Sequence, residues 1–598
     1  MKPGSILAKA CWILKYQGLA ELCKRAWRYI KKHKLIGLWR NRNNAAAYRR
    51  WLKNEAVQVN KKLMTAPEDI ESFNYHPVIS IVMPVHNTTA KYLEKAIDSV
   101  SKQVYPYWEL CIADDASTEP HVPLILNRYC ETDSRIKVAF LSNRDGIVGA
   151  GNSAINLSTG DYICFLDHDD ELSPHALLEI VRCLNVNPVA DIIYTDEDRL
   201  IGDGLRAEPF FKPDWSPDLL MSMNYVGHLT VVRRTLIEKT GGFTEGTDGS
   251  QDYDLILRLS ELTKNIIHIP QVLYHWRMTP GSVSSVAESR LRALEVGREA
   301  IVEALGRRGI NGRVTLMENG YYRVQYHIKD DPLISIIIPT RDRIDLLRRC
   351  LESIQRKSTY HNYEIIVVDN GSTDEETLKY LHEIKKTNKC FVLRYDEPFN
   401  YSRINNYAVQ QASGEYLLFL NNDTEVISED WLEEMLSHAQ RPEIGAVGVK
   451  LLFPDKRIQH GGVLLGIGGI AGHAVYGLPD SSPGYMNLAN VSRNCSAVTA
   501  ACLAVGREVF EEVGGFDEEL DVAYNDVDLC LRILEQGYFN VWTPYAVLYH
   551  YESATRGHAI PEENVEYFCR KWRSVIERGD YFYNPNLSLN HCDYQISC

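Results

Sequence analysis

A chain that repeats itself in order must fold each copy into the same shape, and this one does so over about 200 residues. V-I-S-I-V-M-P at 78–84 returns as L-I-S-I-I-I-P at 333–339. W-E-L-C-I-A-D-D-A-S-T (108–118) returns as Y-E-I-I-V-V-D-N-G-S-T (363–373), and G-D-Y-I-C-F-L-D-H-D-D-E (160–171) as G-E-Y-L-L-F-L-N-N-D-T-E (414–425). G-G-F-T-E (241–245), Q-D-Y-D-L-I-L-R (251–258) and V-L-Y-H-W (272–276) match G-G-F-D-E (514–518), N-D-V-D-L-C-L-R (525–532) and V-L-Y-H-Y (547–551). The offset is 255 at Asp114/Asp369, 254 at Asp169/Asp423, 274 at Asp252/Asp526 and 275 at His275/His550. An ordered series with small insertions means duplicated domains.

Each copy opens on a continuous apolar run ending at proline, the pattern of a strand buried on both faces of a parallel sheet. A helical stripe follows in each: Leu93, Ala96, Ile97 and Val100, then Leu347, Cys350, Leu351 and Ile354. Strands alternating with helices predict a doubly wound α/β fold twice over, in domains at 77–285 and 332–557. Between them, 286–331 reads as a helix over 287–308 and a hairpin over 314–326 turning at Asn319-Gly320. The segment 558–598 has no counterpart in the first half and is expected to pack on the second domain.

Charge separates a further piece. Residues 1–66 carry 16 basic side chains and two acidic ones, while the rest carries 49 bases and 77 acids. An acidic body does not suit a nucleic-acid partner. The arm interleaves its bases with Trp12, Leu14, Leu19, Trp27, Ile30 and Trp39. This fits a helix on an anionic membrane surface, or one solvated or packed on the body. Lys9 and Lys15 interrupt any signal-peptide core, and no apolar run of about 18 residues occurs, which predicts neither export nor a spanning helix. The 14 cysteines form no C-x-x-C, and Cys111, Cys164, Cys350 and Cys530 fall in strand or helix patterns. Buried thiols in a reducing cytoplasm account for them.

In an open α/β sheet, ligands bind beyond the carboxyl ends of the strands. Asp114 and Asp115 stand there, as do Asp369 and Asn370; Asp167-His168-Asp169-Asp170 and Asn421-Asn422-Asp423 follow the next strand of each copy. A lone Asp after a strand is more often a turn former. Two carboxylates at i and i+2, repeated in register, suit a hard divalent cation, Mg or Mn, whose shell diphosphate oxygens complete. The Gly-rich run 460–473 lacks the strand-G-x-G-x-x-G-helix context of a dinucleotide fingerprint and reads as strand and loop. His460 and His473 read as structural or acceptor-side, and Trp215, Trp276 and Trp542 as core residues or sugar platforms.

The ordered set of strand-to-proline, D-D-x-S-T, L-D-x-D-D, G-G-F, Q-D-Y-D and late Y-H resembles the inverting family 2 glycosyltransferases of the GT-A fold, over 77–285 and 332–556. The tandem arrangement resembles O-antigen and rhamnan-type bacterial cell-surface polysaccharide transferases. That resemblance implies nucleoside contacts from Asp114 and Asp369, with Asp115 and Asn370 beside them. It implies a ribose or metal-side role for Asp167 and its counterpart Asn421, metal binding by Asp169 and Asp423, and His275 and His550 at the metal or diphosphate. It implies general bases at Asp252 and Asp526, each of which also suits the start of a helix. Inversion in one displacement needs a carboxylate to take the acceptor hydroxyl's proton and needs no enzyme nucleophile. The donors implied are UDP- or dTDP-linked sugars, and the acceptor is a lipid-linked chain or oligosaccharide. Asn421 departs from the pattern. It implies weaker metal binding, an inactive site, or a deoxyribose donor such as dTDP-rhamnose.

Overall fold

The computed structural model describes residues 35–279, 287–385, 390–551 and 560–597. Two large sheets share one plan. The first runs in spatial order Ile136–Phe140, Trp108–Asp114, Ile79–Val85, Tyr162–Phe165, Thr230–Arg233, Ile192–Ile201, Ile266–Arg277 and Glu171–Leu172. The second runs Cys390–Arg394, Tyr363–Asp369, Ile334–Thr340, Tyr416–Leu420, Cys502–Gly506, Ile444–Leu452, Phe539–His550 and Thr424–Val426. The four leading strands are parallel, and the strands Thr230–Arg233 and Cys502–Gly506 run antiparallel beside them. Register repeats too: Ile79 lies opposite Trp108 and Val85 opposite Asp114, as Ile334 lies opposite Tyr363 and Thr340 opposite Asp369.

Polar residues inside the apolar strands explain the repeat. Ser80 Oγ donates to Glu109 Oε1 at 2.7 Å and accepts the Gly160 N–H at 2.9 Å; Ser335 Oγ donates to Glu364 Oε1 at 2.6 Å and accepts the Gly414 N–H at 2.8 Å. A Cβ on Gly160 would meet Val78 O at 2.4 Å, and one on Gly414 would meet the Ser335 nitrogen at 2.6 Å. Each knot fixes how the strand carrying the D-x-D position enters the sheet. The G-G-F segments end a helix in left-handed backbone, with φ +76° and +79° at Gly241 and Gly242 and +81° and +71° at Gly514 and Gly515.

The helix Ala287–Arg307 and the hairpin Gly312–Leu316/Tyr322–Tyr326 join the domains. One apolar cluster runs through Tyr194 and Phe211 of the first domain, Val314 and Tyr322 of the hairpin, and Ile458, Leu488 and Tyr594 further on. A buried charge knot sits in the same interface. Arg441 donates to Asp218 Oδ1 at 2.6 Å, Arg323 to Glu434 Oε2 at 2.7 Å, and the His438 ring lies 3.6 Å from both acids. The helix Glu562–Arg578 buries Phe568 and Trp572 in the second domain. The tail beyond it crosses to the first domain, where Asn584 Nδ2 donates to both carboxylate oxygens of Asp196 at 3.0 and 2.9 Å.

Of the basic arm, the first 34 residues lie outside those described. Its remainder enters the helix Leu35–Ser72, which packs on the first domain. Tyr48 is buried against Trp51 and Phe211, and Glu55 and Lys62 pair with Arg206 and Glu179. Among the described residues no helix is long and apolar enough to cross a membrane. The described cysteines are free thiols.

Candidate active site

Both sites form where the parallel strands end. In the first domain an open cleft of about 610 Å³ is lined by Asp167, His228, Asn224 and Asp252 above an apolar floor that includes Phe165 and Phe243. Asp252 opens the helix Gln251–Ser260; its Oδ1 accepts the Tyr253 N–H at 2.8 Å and its Oδ2 accepts from Asn224 Nδ2 at 2.9 Å. Burial raises its pKa above the ordinary value, with His228 opposing and Asp167 adding to the rise. Asp526 opens the helix Asn525–Glu535 in the same way, with Oδ1 on the Val527 N–H at 2.8 Å and Oδ2 on the Ala500 N–H at 3.0 Å.

These helices are clamped to the G-G-F segments. Arg258 reaches Asp254 Oδ2 at 2.9 Å and Gly242 O at 2.8 Å; Arg532 reaches Asp528 Oδ2 at 2.8 Å and Gly515 O at 2.6 Å. Asn152 holds Phe243 through N–H at 2.8 Å and C=O at 3.0 Å, and Asn406 holds Phe516 at 3.0 and 2.9 Å. The recurring Q/N-D-x-D-L-x-L-R string is therefore one acid at the helix start, which in the first domain lines the cleft, and one acid–arginine pair fixing its helix.

A family model described as Glycosyl transferase family 2 matches residues 80–241 and 335–514, more than half of the chain and both domains. The chain belongs to glycosyl transferase family 2. It is 46% identical over 534 residues to the uncharacterized protein y4gI of Sinorhizobium fredii, covering 87% of this chain and 59% of that protein. It is 43% identical over 537 residues to the O-antigen biosynthesis protein RfbC of Myxococcus xanthus, covering 89% of this chain and 42% of that one. The chain thus spans less than two thirds of the length of either relative. Among solved structures, S. aureus TarS 1–349 in complex with UDP-GlcNAc is 21% identical with a TM-score of 0.32, covering 38% of this chain and 66% of that one.

Within this family 2 scaffold the strand-end residues divide. Asp114 and Asp369 are buried at equivalent strand ends, accepting the Ser117 N–H at 3.3 Å and the Ser372 N–H at 2.9 Å. Arg394 donates to Asp369 Oδ2 at 2.5 Å, whereas register places Phe140 at that position in the first domain. Asp115 and Asn370, expected beside the nucleoside, each hold backbone groups of the protein, and Asn370 Oδ1 is buried without a hydrogen-bond partner. The Asp115 carboxylate accepts the Asp145 and Gly146 N–H groups at 2.6 and 3.1 Å, and Asn370 donates to Tyr395 O and Glu397 O at 3.1 and 2.8 Å. They hold the loop that follows the neighbouring strand.

His550 stands at the metal-side acid of the second domain. Its Nε2 is 3.1 Å from Asp423 Oδ1 and 3.4 Å from Asn421 Nδ2, and its Nδ1 is 2.8 Å from Gln459 Oε1. His275 does not stand at Asp169. Its Nδ1 is 2.6 Å from Asp198 Oδ1 and its Nε2 2.9 Å from Ser173 Oγ, in a buried network with Tyr48 and Arg206. The physical reason is a one-residue slip. The strand Ile266–Arg277 shifts register after Val272, so Glu171 faces His275, whereas Thr424 faces His550. A one-residue slip turns every side chain to the other face of a strand. Trp276 therefore occupies the position of His550.

Asp423 and His550 fit a divalent cation. Asp423 Oδ1 is buried without a hydrogen-bond donor, and the imidazole nitrogen beside it supplies a second ligand. Among the described residues no group of three or more His, Cys, Asp or Glu forms a metal cluster. Substrate oxygens and water would supply the rest of the shell, as is usual for Mg bound with phosphates. In the first domain, Asp169 Oδ2 accepts from Thr279 Oγ1 at 3.2 Å, and burial pushes its carboxyl up, with His168 opposing and Asp167 adding. Asp167, with a side chain 38% exposed, faces His228. The sequence reading missed His228 and Asn224. Nothing in the sequence singles out either residue, because the repeat places Ala501 at the position of His228.

Proposed function

We propose that the chain is a bifunctional inverting glycosyltransferase. Each domain transfers a sugar from a nucleoside-diphosphate donor to a growing cell-surface polysaccharide or lipid-linked oligosaccharide. The observation that carries this is the paired placement of Asp252 and Asp526, each at the first turn of the same helix and clamped by the same arginine. A binding module needs no proton acceptor. The name of the Myxococcus relative supports a surface polysaccharide as acceptor.

The acceptor hydroxyl oxygen attacks the anomeric carbon as the bond from that carbon to the phosphate oxygen breaks. Its proton passes to the Asp252 carboxylate in the first site and to Asp526 in the second. The electron pair leaves with the nucleoside diphosphate. Asp423 and His550 in the second site, and Asp169 with Asp167 in the first, would hold a divalent cation, which would neutralise charge on that diphosphate. Asp114 and Asp369 anchor the nucleoside end. The sites are proposed to take different donors, because Arg394 pairs with Asp369 where Phe140 stands in the first domain, and Asn421 stands for Asp167. The dTDP-sugar is assigned to the second site and the UDP-sugar to the first.

The test incubates the full chain with oligosaccharide acceptors and a panel of UDP- and dTDP-sugars, with and without Mg or Mn. Consumption of one donor of each class, each blocked by one of Asp252→Asn and Asp526→Asn, supports the reading. If Asp526→Asn alters no donor, the second domain only positions acceptor. The basic residues of 1–34 are proposed to bring the enzyme to an anionic membrane surface on the cytoplasmic side. Equal binding of full-length and 1–34-deleted protein to phosphatidylserine vesicles would dispose of that.

A further inference from the structure

The first cleft holds an imidazole that the sequence repeat does not pair. His228 ends the turn Asn224–His228 with its side chain 19% exposed, on the wall shared by Asp167 and Asp252. Its Nε2 is 3.6 Å from Asp167 Oδ2. Its ring lies flat on Tyr274, with centroids 4.6 Å apart and planes 15° from parallel. Buried Lys212 donates to Val226 O and His228 O, both at 2.6 Å, and to Glu197 Oε2 at 2.9 Å, and Glu197 accepts the His228 N–H at 3.0 Å. Tyr274 is itself pinned by its hydroxyl to Asp170 Oδ2 at 2.5 Å. The imidazole is thus held rigidly on a buried polar frame and presented to the cavity.

The same turn carries Asn224, which donates to Asp252. One short segment therefore reaches both acids of the cleft. The residues lining the cavity include no lysine or arginine, so His228 is its one basic side chain among the described residues. The second domain is built differently. Strand pairing puts Val232 opposite Ile163 and Val505 opposite Leu417, which places Ala501 where His228 stands. Asp526 is held there by the Ala500 N–H, and the imidazole of that site comes from His550 on another strand.

We infer that His228 is a donor-binding residue of the first site, giving its imidazole N–H to the diphosphate where it joins the transferred sugar. This rests on the reading of Asp252 as the base. The space between a donor-side carboxylate and the base is where the anomeric carbon must lie, and the leaving oxygen beside it gathers negative charge. A preplaced N–H donor at such an oxygen is worth about 100-fold or more in rate. The two sites thus bring imidazoles to the donor side from unrelated positions and for different tasks, His228 as an N–H donor and His550 beside Asp423 as a cation ligand.

The test measures both linkages made by the full chain, with calorimetric titration of UDP and dTDP into the same proteins. His228→Ala is expected to lower formation of the first linkage about 100-fold and to weaken nucleoside-diphosphate binding at that site. Formation of the second linkage is expected to stay within twofold. His228→Gln keeps an N–H donor on a similar frame and is expected to recover at least tenfold of the loss, a rescue that a packing role would not show. If His228→Ala impairs folding, the donor KM of His228→Phe, which keeps a ring on Tyr274 and has no N–H donor, decides. A raised donor KM with unchanged acceptor KM supports the contact, and unchanged values for both overturn it. First-linkage formation within twofold of wild type in a folded His228→Ala protein also overturns it. If Asp252→Asn likewise spares the first linkage, the reading of the site itself fails.

Discussion

In the proposed reaction single acids at the strand and helix ends carry the chemistry, and their surroundings set what each can do. Burial raises the pKa of Asp252 above its ordinary 3.8, so it becomes a competent base only at a pH above that value. The rate of first-linkage formation is therefore expected to climb with pH along a limb whose midpoint lies above 3.8. Asp252→Asn removes the proton acceptor and is expected to lower that rate by about 100- to 10,000-fold with little change in donor binding, measured as kcat against donor KM. The two late histidines should separate in a metal titration. His550→Ala is expected to raise the Mg or Mn concentration needed for second-site activity by about 10- to 100-fold. His275→Ala should leave the metal requirement alone and lower thermal stability, because Asp198 and Ser173 lose their buried partner.

At the scale of elements, the repeat made the fold legible because its signal is redundant. Three strand segments, one acidic helix start and one glycine pair of the first copy each recur in the second with their spacing. Continuous apolar runs such as I-I-V-V need no context to be read as buried strands. The Asn319-Gly320 turn and the helix after Ala287 were legible for the same local reasons. Side-chain direction was not. Residues 272–276 and 547–551 match letter for letter through the histidine, yet a register shift after Val272 sends the two rings to opposite faces. Bulges follow from three-dimensional pairing and leave no mark in the string. The backbone N–H groups that Asp115 serves were hidden for a related reason, since they lie on a loop 30 and 31 residues away in sequence. Glycine placement is the strongest test at this scale. Gly515→Ala forces a left-handed residue against Asn406 Oδ1, 2.9 Å from the added Cβ, and is expected to cost about 1–2 kcal/mol by denaturant titration.

The whole molecule is two family 2 domains cemented by a shared core and a charge knot. His438, Asp218, Glu434, Arg441 and Arg323 meet where the first domain, the hairpin and the second domain converge. Burial opposes ionisation of Glu434, yet His438 and Arg323 hold its carboxyl down at about 2, from an ordinary 4.5. Its contribution is therefore present above 4.5 and lost as pH falls toward 2. His438 is raised above 6.5 by Asp218 and Glu434 against the effect of burial, so its contribution is complete below 6.5 and is lost as pH rises through the raised value. The interface should be firmest between these limits, read as a maximum in Tm against pH. Asp218→Ala leaves Arg441 and His438 buried without their shared acid and is expected to cost about 3–5 kcal/mol in thermal or denaturant unfolding.

The central claim is that one chain holds two working sites of different specificity. Linkage analysis of the oligosaccharide made by wild type, Asp252→Asn and Asp526→Asn tests it most directly. Two linkages from wild type, with each variant missing a different one, is the result expected here. One linkage from all three proteins, or loss of the same linkage in both variants, would contradict it.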